Sequence, residues 1–236
     1  KRNWALHTHQ IDVLTNSDRK SQLLIAPTGS GKTLSGFLPT LIELDRVNFS
    51  GLHTVYVSPL KALAADIKRN LMIPIEEMGL NIKVEDRTGD TTAKIKRRQR
   101  IDPPQILLTT PESLALLISF PEANALFAKL ERIIIDEIHA LVENKRGHQL
   151  LLAISRLQSI SKNLRKLGLS ATVDHPQEIA SFISENDNNC PIIFAEPGPD
   201  PNISMLQTTA SPPWSGAGAT YACLLYTSPS PRDAHK

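Results

Sequence analysis

Short apolar runs alternate with longer segments of helical periodicity along most of the chain. The runs are rich in β-branched residues, and several are apolar on both faces, as strands buried between two helical layers are. Parallel strands joined by crossover helices produce this alternation, so the pattern predicts a doubly wound, mostly parallel α/β sheet. The predicted strands are 22–26, 54–58, 82–85, 105–109, 132–136, 166–170 and 191–195. The predicted helices are 32–44, 60–78, 112–118, 147–159 and 176–184.

Length and composition leave the function open but restrict the class of protein. A chain of 236 residues, of which 41% are hydrophobic, is long enough to bury one good core. No apolar stretch approaches the roughly 20 residues that cross a bilayer, and the amino terminus lacks the apolar segment of a secretory signal. We therefore expect no membrane segment and a cytoplasmic location. A net charge of +2 is too small to indicate nucleic-acid binding by itself.

The composition of the sequence changes after Ala195, where Pro, Gly, Ser and Ala dominate and the apolar periodicity ends. We predict one folded domain over 1–198 and a linker over 199–222. The segment 223–233, CLLYTSPSPRD, resembles the translation of a sequencing adaptor read in frame. We therefore predict that 223–236 is not native sequence.

Residues 26–33 read APTGSGKT, directly after an apolar strand and directly before a helical run. That context is the one in which a Walker A phosphate-binding loop occurs. Glycines let the backbone turn so that N–H groups and the helix N-terminus point at phosphates. Lys32 is expected to reach the terminal phosphates, and the Thr33 hydroxyl to bind Mg²⁺. The predicted ATP-binding residues of this loop are Thr28, Gly29, Ser30, Gly31, Lys32 and Thr33.

Two adjacent carboxylates follow the buried strand 132–136 in the run RIIIDEIH. Asp136 is the candidate Mg²⁺ ligand, and Glu137 the candidate base that orients and deprotonates the attacking water. A carboxylate pair by itself is equally typical of a solvated strand end, so the prediction rests on its combination with the phosphate loop. His139 completes the sequence D-E-I-H, either as part of the nucleotide site or as a locally hydrogen-bonded histidine.

A further strand leads into Ser170, Ala171 and Thr172. Small hydroxyl residues at a strand end are common in turns. Following the acidic pair in the chain, these three are a candidate link between the nucleotide and the nucleic acid.

With these motifs, the chain resembles superfamily 2 DExH-box helicases of the large helicase-related (Lhr) group, and within it the bacterial ligase-associated DNA-damage-response members. The strings that carry the resemblance are GLHTVYVSPLKALAADI, RTGDT, DPPQILLTTPESLALL, DEIHALVENKRGHQLLL and LGLSATV. The resemblance implies a RecA-like P-loop domain that uses ATP and Mg²⁺ to move along single-stranded DNA in repair. It also implies a second RecA-like domain that supplies arginines to the γ-phosphate. We therefore expect little hydrolysis and no unwinding from this chain alone.

The resemblance assigns further residues. Gln10 matches the glutamine that reads adenine, although an exposed amphipathic helix is the alternative at that position. Three more motifs match segments that hold the nucleic-acid backbone through hydroxyls, backbone N–H groups and cations, which indicates sequence-independent, salt-sensitive binding. The predicted nucleic-acid contacts are Ser58, Pro59, Leu60 and Lys61; Arg87, Thr88, Gly89 and Asp90; and Thr109, Thr110, Pro111 and Glu112.

Two groups of basic residues lie outside these motifs. Their helical spacing is more typical of a solvated helix face than of a DNA-binding site. They are Lys94, Lys96, Arg97, Arg98 and Arg100, and Lys145, Arg146 and His148.

Two other functions remain open. One is an RNA-directed DExH helicase, which would share every motif named above and bind RNA or a hybrid. The other is a non-catalytic nucleotide-binding module. Glu137 favours the enzyme, because a binding module has no use for a base that activates water.

Overall fold

A computed structural model describes residues 5–184 and 190–196, without the side chains at 62, 63 and 65. Seven strands form one sheet in the order β3-β4-β2-β5-β6-β1-β7, and every pair is parallel. The doubly wound α/β class predicted from the sequence is confirmed. The strands are β1 (Ser21–Ile25), β2 (Thr54–Val57), β3 (Val84–Arg87), β4 (Ile106–Thr109), β5 (Arg132–Ile135), β6 (Arg165–Ser170) and β7 (Ile192–Phe194).

Within the described residues, all five predicted helices occur and three further helices join them. The eight are α1 (Thr8–Thr15), α2 (Lys32–Arg46), α3 (Lys61–Met78), α4 (Ala93–Ile101), α5 (Pro111–Ile118), α6 (Ala123–Phe127), α7 (Lys145–Ile160) and α8 (Pro176–Ser184). The predicted helices did not include α1, α4 or α6, although the helical spacing of the basic residues at 94–100 was noted. Only Gln99 of α4 is buried, so this helix has no apolar stripe to reveal it. The other two are short, with eight and five residues.

Each face of the sheet carries its own apolar core. In β5, Ile133 and Ile135 face one core and Ile134 faces the other, because successive side chains of a strand point to opposite faces. The first core is covered by α5, α6, α7 and α8, and the second by α1, α2 and α3. Burial on both faces explains why the strands read as continuous apolar runs.

The strand order divides the carboxyl edge of the sheet into two halves. The ends of β1, β5 and β6 are neighbours, and the Ala26 N–H donates to the Ser170 carbonyl at 3.0 Å. The ends of β2, β3 and β4 are neighbours on the other half. The halves meet where the Asp136 N–H donates to the Val57 carbonyl at 2.8 Å. Every motif predicted from the sequence except Gln10 follows one of these six strands.

The opposite edge of the sheet contains a network of charges around the buried Arg132. Glu43 of α2 accepts two hydrogen bonds from Arg132 at 2.8 and 2.9 Å, and two from Arg165 at 2.7 and 3.1 Å. The imidazole of His53 lies 3.3 Å from the same carboxylate. Only 1% of the Arg132 side chain is exposed. Glu43 therefore compensates a guanidinium that has no access to water.

In residues 5–184 and 190–196, no helix has both the length and the apolar character needed to cross a bilayer. The predicted linker 199–222 and tail 223–236 lie outside the described residues, so these domain boundaries stay predictions.

Candidate functional site

The phosphate loop adopts the backbone conformation that its glycines permit. Gly29 and Gly31 have φ angles of 85° and 80°, a left-handed region that other residues rarely occupy. The Ser30 hydroxyl donates to the Pro27 carbonyl at 2.8 Å and fixes the turn. Helix α2 begins directly after it at Lys32. The loop thus ends at the N-terminus of a 15-residue helix, where phosphates bind favourably.

The phosphate loop and the acidic pair meet at one point of the sheet edge. The Lys32 ammonium donates to the Glu137 carboxylate at 3.0 Å, although 105 positions separate the two residues. The Lys32 side chain is 8% exposed and that of Glu137 is 30% exposed. Lys32 also lies close enough to Asp136 to favour its ionised form. The three residues predicted to act on one magnesium triphosphate are therefore brought together.

Asp136 is buried and is held by two hydrogen bonds. Its Oδ1 accepts from the Glu137 N–H at 2.9 Å, and its Oδ2 accepts from the Tyr56 hydroxyl. Burial raises the pKa of Asp136 above its usual range, and the Tyr56 hydrogen bond and the Lys32 charge oppose that rise. Burial also raises the pKa of Tyr56, so this hydroxyl remains a donor. Tyr56 was not among the site residues predicted from the sequence. A tyrosine inside an otherwise apolar strand was the available signal, since its hydroxyl needs a partner.

Tyr56→Phe removes this donor and keeps the aromatic ring that stacks on Phe37 at 5.2 Å. We expect the Mg²⁺ concentration needed for half-maximal binding of an ATP analogue to rise roughly tenfold, as is typical when a partner of a metal ligand is lost. Isothermal titration of the analogue at several Mg²⁺ concentrations measures this shift. Phe37→Leu disturbs the same packing without touching Asp136 and is the control. An equal shift in both variants would contradict a role for the hydroxyl.

Glu137 and His139 connect the acidic pair with β6. Glu137 has φ 47°, and it is the one non-glycine residue of the described chain with a positive φ. Such strain is often retained at functional sites. The His139 Nδ1 accepts from the Ala171 N–H at 3.4 Å and lies 3.2 Å from the Ser170 hydroxyl. The proton of the neutral ring is thereby placed on Nε2, which lies 3.5 Å from the Glu137 carboxylate. His139 is thus positioned between the candidate base and the Ser170–Thr172 segment.

The residues predicted to hold Mg²⁺ suit that ion. Thr33 offers a hydroxyl, half-buried in the first turn of α2, and Asp136 offers a carboxylate. Mg²⁺ characteristically takes one or two protein ligands and completes its shell with water and substrate phosphates. No cluster of three His, Cys, Asp or Glu residues that could hold a metal occurs in the described part of the chain. That Thr33 and Asp136 hold Mg²⁺ stays a prediction.

Gln10 lies in α1 beside the phosphate loop. It is buried, its Oε1 accepts from the His7 N–H at 3.0 Å, and its Nε2 is 3.2 Å from where a Cβ on Gly31 would stand. Burial excludes the alternative of an exposed amphipathic helix at this position. His9 packs next to it, and burial together with the charge of His7 lowers the pKa of His9. That the Gln10 amide reads adenine stays a prediction.

On the other half of the edge, seven of the twelve predicted nucleic-acid contacts are buried and five are exposed. The exposed residues are Leu60, Lys61, Gly89, Asp90 and Glu112, and the buried ones are Ser58, Pro59, Arg87, Thr88, Thr109, Thr110 and Pro111. The buried hydroxyls shape the loops. Thr110 caps α5 by accepting from the Ser113 N–H, and the Thr109 hydroxyl donates to the Arg87 carbonyl at 2.7 Å.

The Arg87 guanidinium points into the protein. It donates to the Lys96 carbonyl at 2.8 Å and to the Gln99 side chain at 3.3 Å, and the residue is 3% exposed. Burial, followed by the charge of Arg100, lowers the pKa of Arg87. The Arg87 side chain is buried because α4, which was not among the predicted helices, covers it. Arg87 therefore links the end of β3 to α4.

The two basic groups differ from the expected solvated faces. Lys94 and Arg97 are exposed as predicted, but Arg98 pairs with Glu85 and Arg100 stacks on Phe120 at 4.1 Å. In the second group, Lys145 and His148 are exposed. Arg146 keeps 41% of its side chain exposed, as predicted, but it also binds Glu112 and the Pro59 carbonyl, which was not predicted. The sequence could not reveal this, since those partners lie 34 and 87 positions away.

Comparison with known proteins agrees with this geometry. The model of the DEAD/DEAH box helicase family matches residues 7–180, a span that includes the phosphate loop, the acidic pair and Ser170–Thr172. The chain belongs to the DEAD/DEAH box helicase family. It is 42% identical over 185 residues to the ATP-dependent helicase Lhr-Core protein 2 of Thermococcus barophilus, covering 72% of this chain and 21% of that protein. It is also 42% identical over 182 residues to the Lhr helicase/probable uracil glycosylase of Mycolicibacterium smegmatis, covering 71% of this chain and 12% of that protein.

Solved structures give the same result. The structure of Mycobacterium smegmatis helicase Lhr bound to ssDNA and AMP-PNP superposes with a TM-score of 0.72 at 38% sequence identity, covering 82% of this chain and 26% of that one. The RecA-like fold and the resemblance to the Lhr group are thereby confirmed. The chain spans about a fifth of the length of the Thermococcus relative.

Proposed function

We propose that this chain is the ATP-binding motor domain of an ATP-dependent DNA helicase, which binds ATP with Mg²⁺ and couples its hydrolysis to movement on single-stranded DNA. The observation that carries the proposal is the 3.0 Å contact between Lys32 and Glu137 at the carboxyl edge of the sheet. A phosphate-binding lysine and a carboxylate base have to meet at one substrate for hydrolysis, and in this chain they meet each other.

The Lys32–Glu137 pair accounts for how the site responds to ATP. Lys32 neutralises Glu137 through their 3.0 Å contact. A γ-phosphate competes for the same ammonium, because phosphate oxygens are strong charge-assisted acceptors. Glu137 then loses its partner and becomes available to accept a proton from water. Mg²⁺, held by Thr33 and Asp136, would neutralise charge that develops on the phosphates.

The nucleic-acid half supports binding to a phosphate backbone. Lys61 and Gly89 are exposed beside each other, since a Cβ on Gly89 would stand 2.9 Å from the Lys61 ammonium. A backbone N–H without a side chain next to a cation suits a phosphate and reads no base edge. The related Lhr helicase was solved with ssDNA and AMP-PNP together, which favours DNA as the nucleic acid. Glu112, another predicted nucleic-acid contact, is also exposed at this edge of the sheet.

Lys32→Ala tests the nucleotide half. We expect the affinity for AMP-PNP with Mg²⁺ to fall roughly 10- to 100-fold, because a charge-assisted hydrogen bond to phosphate is lost. Isothermal titration calorimetry on the 236-residue chain measures it. Lys162→Ala removes an exposed lysine at the opposite edge and is the matched control. Unchanged affinity in Lys32→Ala would refute the assignment of the phosphate loop.

Two alternatives are separated by simple measurements. Oligothymidylate and oligouridylate compared at equal length and salt distinguish a DNA-directed from an RNA-directed motor. A non-catalytic module would bind the nucleotide but would never hydrolyse it, whether or not Glu137 is intact. The ligase-associated subgroup, the second RecA-like domain, the low activity of the chain alone and the cytoplasmic location stay predictions.

A further inference from the structure

The N-terminus of α7 joins two loops of the nucleic-acid half. Arg146 donates from Nη2 to the Pro59 carbonyl at 2.8 Å, and from Nε and Nη2 to the two carboxylate oxygens of Glu112, the second at 3.2 Å. Pro59 lies in the loop after β2, and Glu112 in the first turn of α5 after β4. One guanidinium therefore fixes the spacing between two segments that separate strands deliver to the edge.

The backbone that carries Arg146 is itself firmly placed. Asn144 caps α7, its side chain accepting from the Gly147 N–H at 3.0 Å while donating to the Ala140 carbonyl. A Cβ at Gly147 would stand 1.9 Å from the Leu141 carbonyl oxygen, so no larger residue fits without movement. The helix start is thus packed directly against the turn that follows His139. The turn and Arg146 are therefore linked through this contact.

The charges of Arg146 and Glu112 compensate each other. The hydrogen bond from Arg146 holds the pKa of Glu112 below its usual range, and the same bond raises the pKa of Arg146. Three of the guanidinium hydrogens are committed to Glu112 and Pro59. A planar fork can hold both partners at once, whereas the single ammonium of a lysine cannot reproduce that geometry.

We propose that Arg146 is a positioning residue for nucleic-acid binding, which sets the Pro59 loop and the start of α5 at the spacing of one DNA backbone and links them to the turn after Glu137 and His139. This inference rests on the proposed function, because it concerns the same nucleic-acid edge. It adds to that function a residue that acts through two loops and contacts no reacting atom.

The test is the binding of a fluorescein-labelled oligothymidylate of about 12 nucleotides to the 236-residue chain, followed by fluorescence anisotropy at low salt. Arg146→Met is expected to weaken binding roughly tenfold or more, and Arg146→Lys to weaken it nearly as much. Arg156→Met removes an exposed arginine from the same helix and is the matched control, with a change below about twofold. Melting curves and AMP-PNP affinity report whether each variant is folded.

Glu112→Gln separates positioning from simple charge. Removing a carboxylate next to a polyanion tightens binding if only charge matters. If Arg146 acts by holding the two loops, Glu112→Gln instead weakens binding severalfold, and the double variant is no weaker than Arg146→Met alone. The direction of the change in affinity caused by Glu112→Gln remains informative even if Arg146→Met folds poorly.

The outcomes are distinct. Tighter binding by Glu112→Gln, rescue by Arg146→Lys, or an Arg146→Met effect equal to that of Arg156→Met would each overturn the inference and leave the proposed function intact. Failure of the unmodified chain to bind the oligonucleotide at any salt concentration would remove the nucleic-acid part of the proposed function, and the inference with it.

Discussion

Replacing Glu43 by glutamine is expected to destabilise the domain by about 3–5 kcal/mol, because it leaves the buried Arg132 guanidinium without a compensating charge. The lost carboxylate also pairs with Arg165 and lies within 3.3 Å of the His53 imidazole. Chemical denaturation of both proteins gives the free energies of unfolding. Asp45→Asn removes a carboxylate from an exposed position of the same helix and is the matched control. A loss of unfolding free energy no larger than that of the control would mean that the network makes no net contribution to stability.

The same network predicts how stability depends on pH. Burial alone would raise the pKa of Glu43, but hydrogen bonds from His53 and Arg132, and the charge of Arg132, outweigh it and hold this pKa far below its usual range. A carboxyl with a depressed folded-state pKa contributes its full stability above its unfolded-state pKa and loses that contribution as the pH falls below it. The difference between the unmodified domain and Glu43→Gln should therefore be constant near neutrality and shrink in acid. A difference that grew on acidification would contradict this account.

Glu137→Gln is expected to lower the rate of ATP hydrolysis by about 10²- to 10⁴-fold while nucleotide binding is retained. The amide keeps the shape of the side chain and cannot take a proton from water. The Lys32 ammonium also loses its carboxylate partner, so AMP-PNP should bind at least as tightly as before. The measurement is DNA-stimulated hydrolysis by a chimaera in which this domain replaces the matching 182 residues of the Mycolicibacterium smegmatis relative.

The control for this substitution is Glu143→Gln, an exposed glutamate in the turn before α7. It changes the net charge equally and should leave hydrolysis within about twofold of the unmodified chimaera. Hydrolysis that is insensitive to both substitutions, or a Glu137→Gln protein that no longer binds AMP-PNP, would exclude Glu137 as the base and favour a role in structure.

The sequence predicted the strands better than the surroundings of the side chains. All seven strands begin and end within two residues of their predicted positions, because apolar runs buried on two faces have no other stable environment. Helix α4 was missed for the opposite reason, since it buries only Gln99. That omission also hid the burial of Arg87, whose cover is α4. A local sequence pattern reveals a helix through its apolar stripe, and a polar helix has no such stripe.

The sequence by itself determined the sheet, the phosphate loop and the acidic pair, since each depends on a contiguous run of residues with its own periodicity or spacing. Only the tertiary structure decided which side chains meet. Tyr56 contacts Asp136 across 80 positions, Arg132 contacts Glu43 across 89, and Arg146 reaches Pro59 across 87. The order of parallel strands sets these contacts, and that order is fixed by the packing of the whole sheet and not by any local segment.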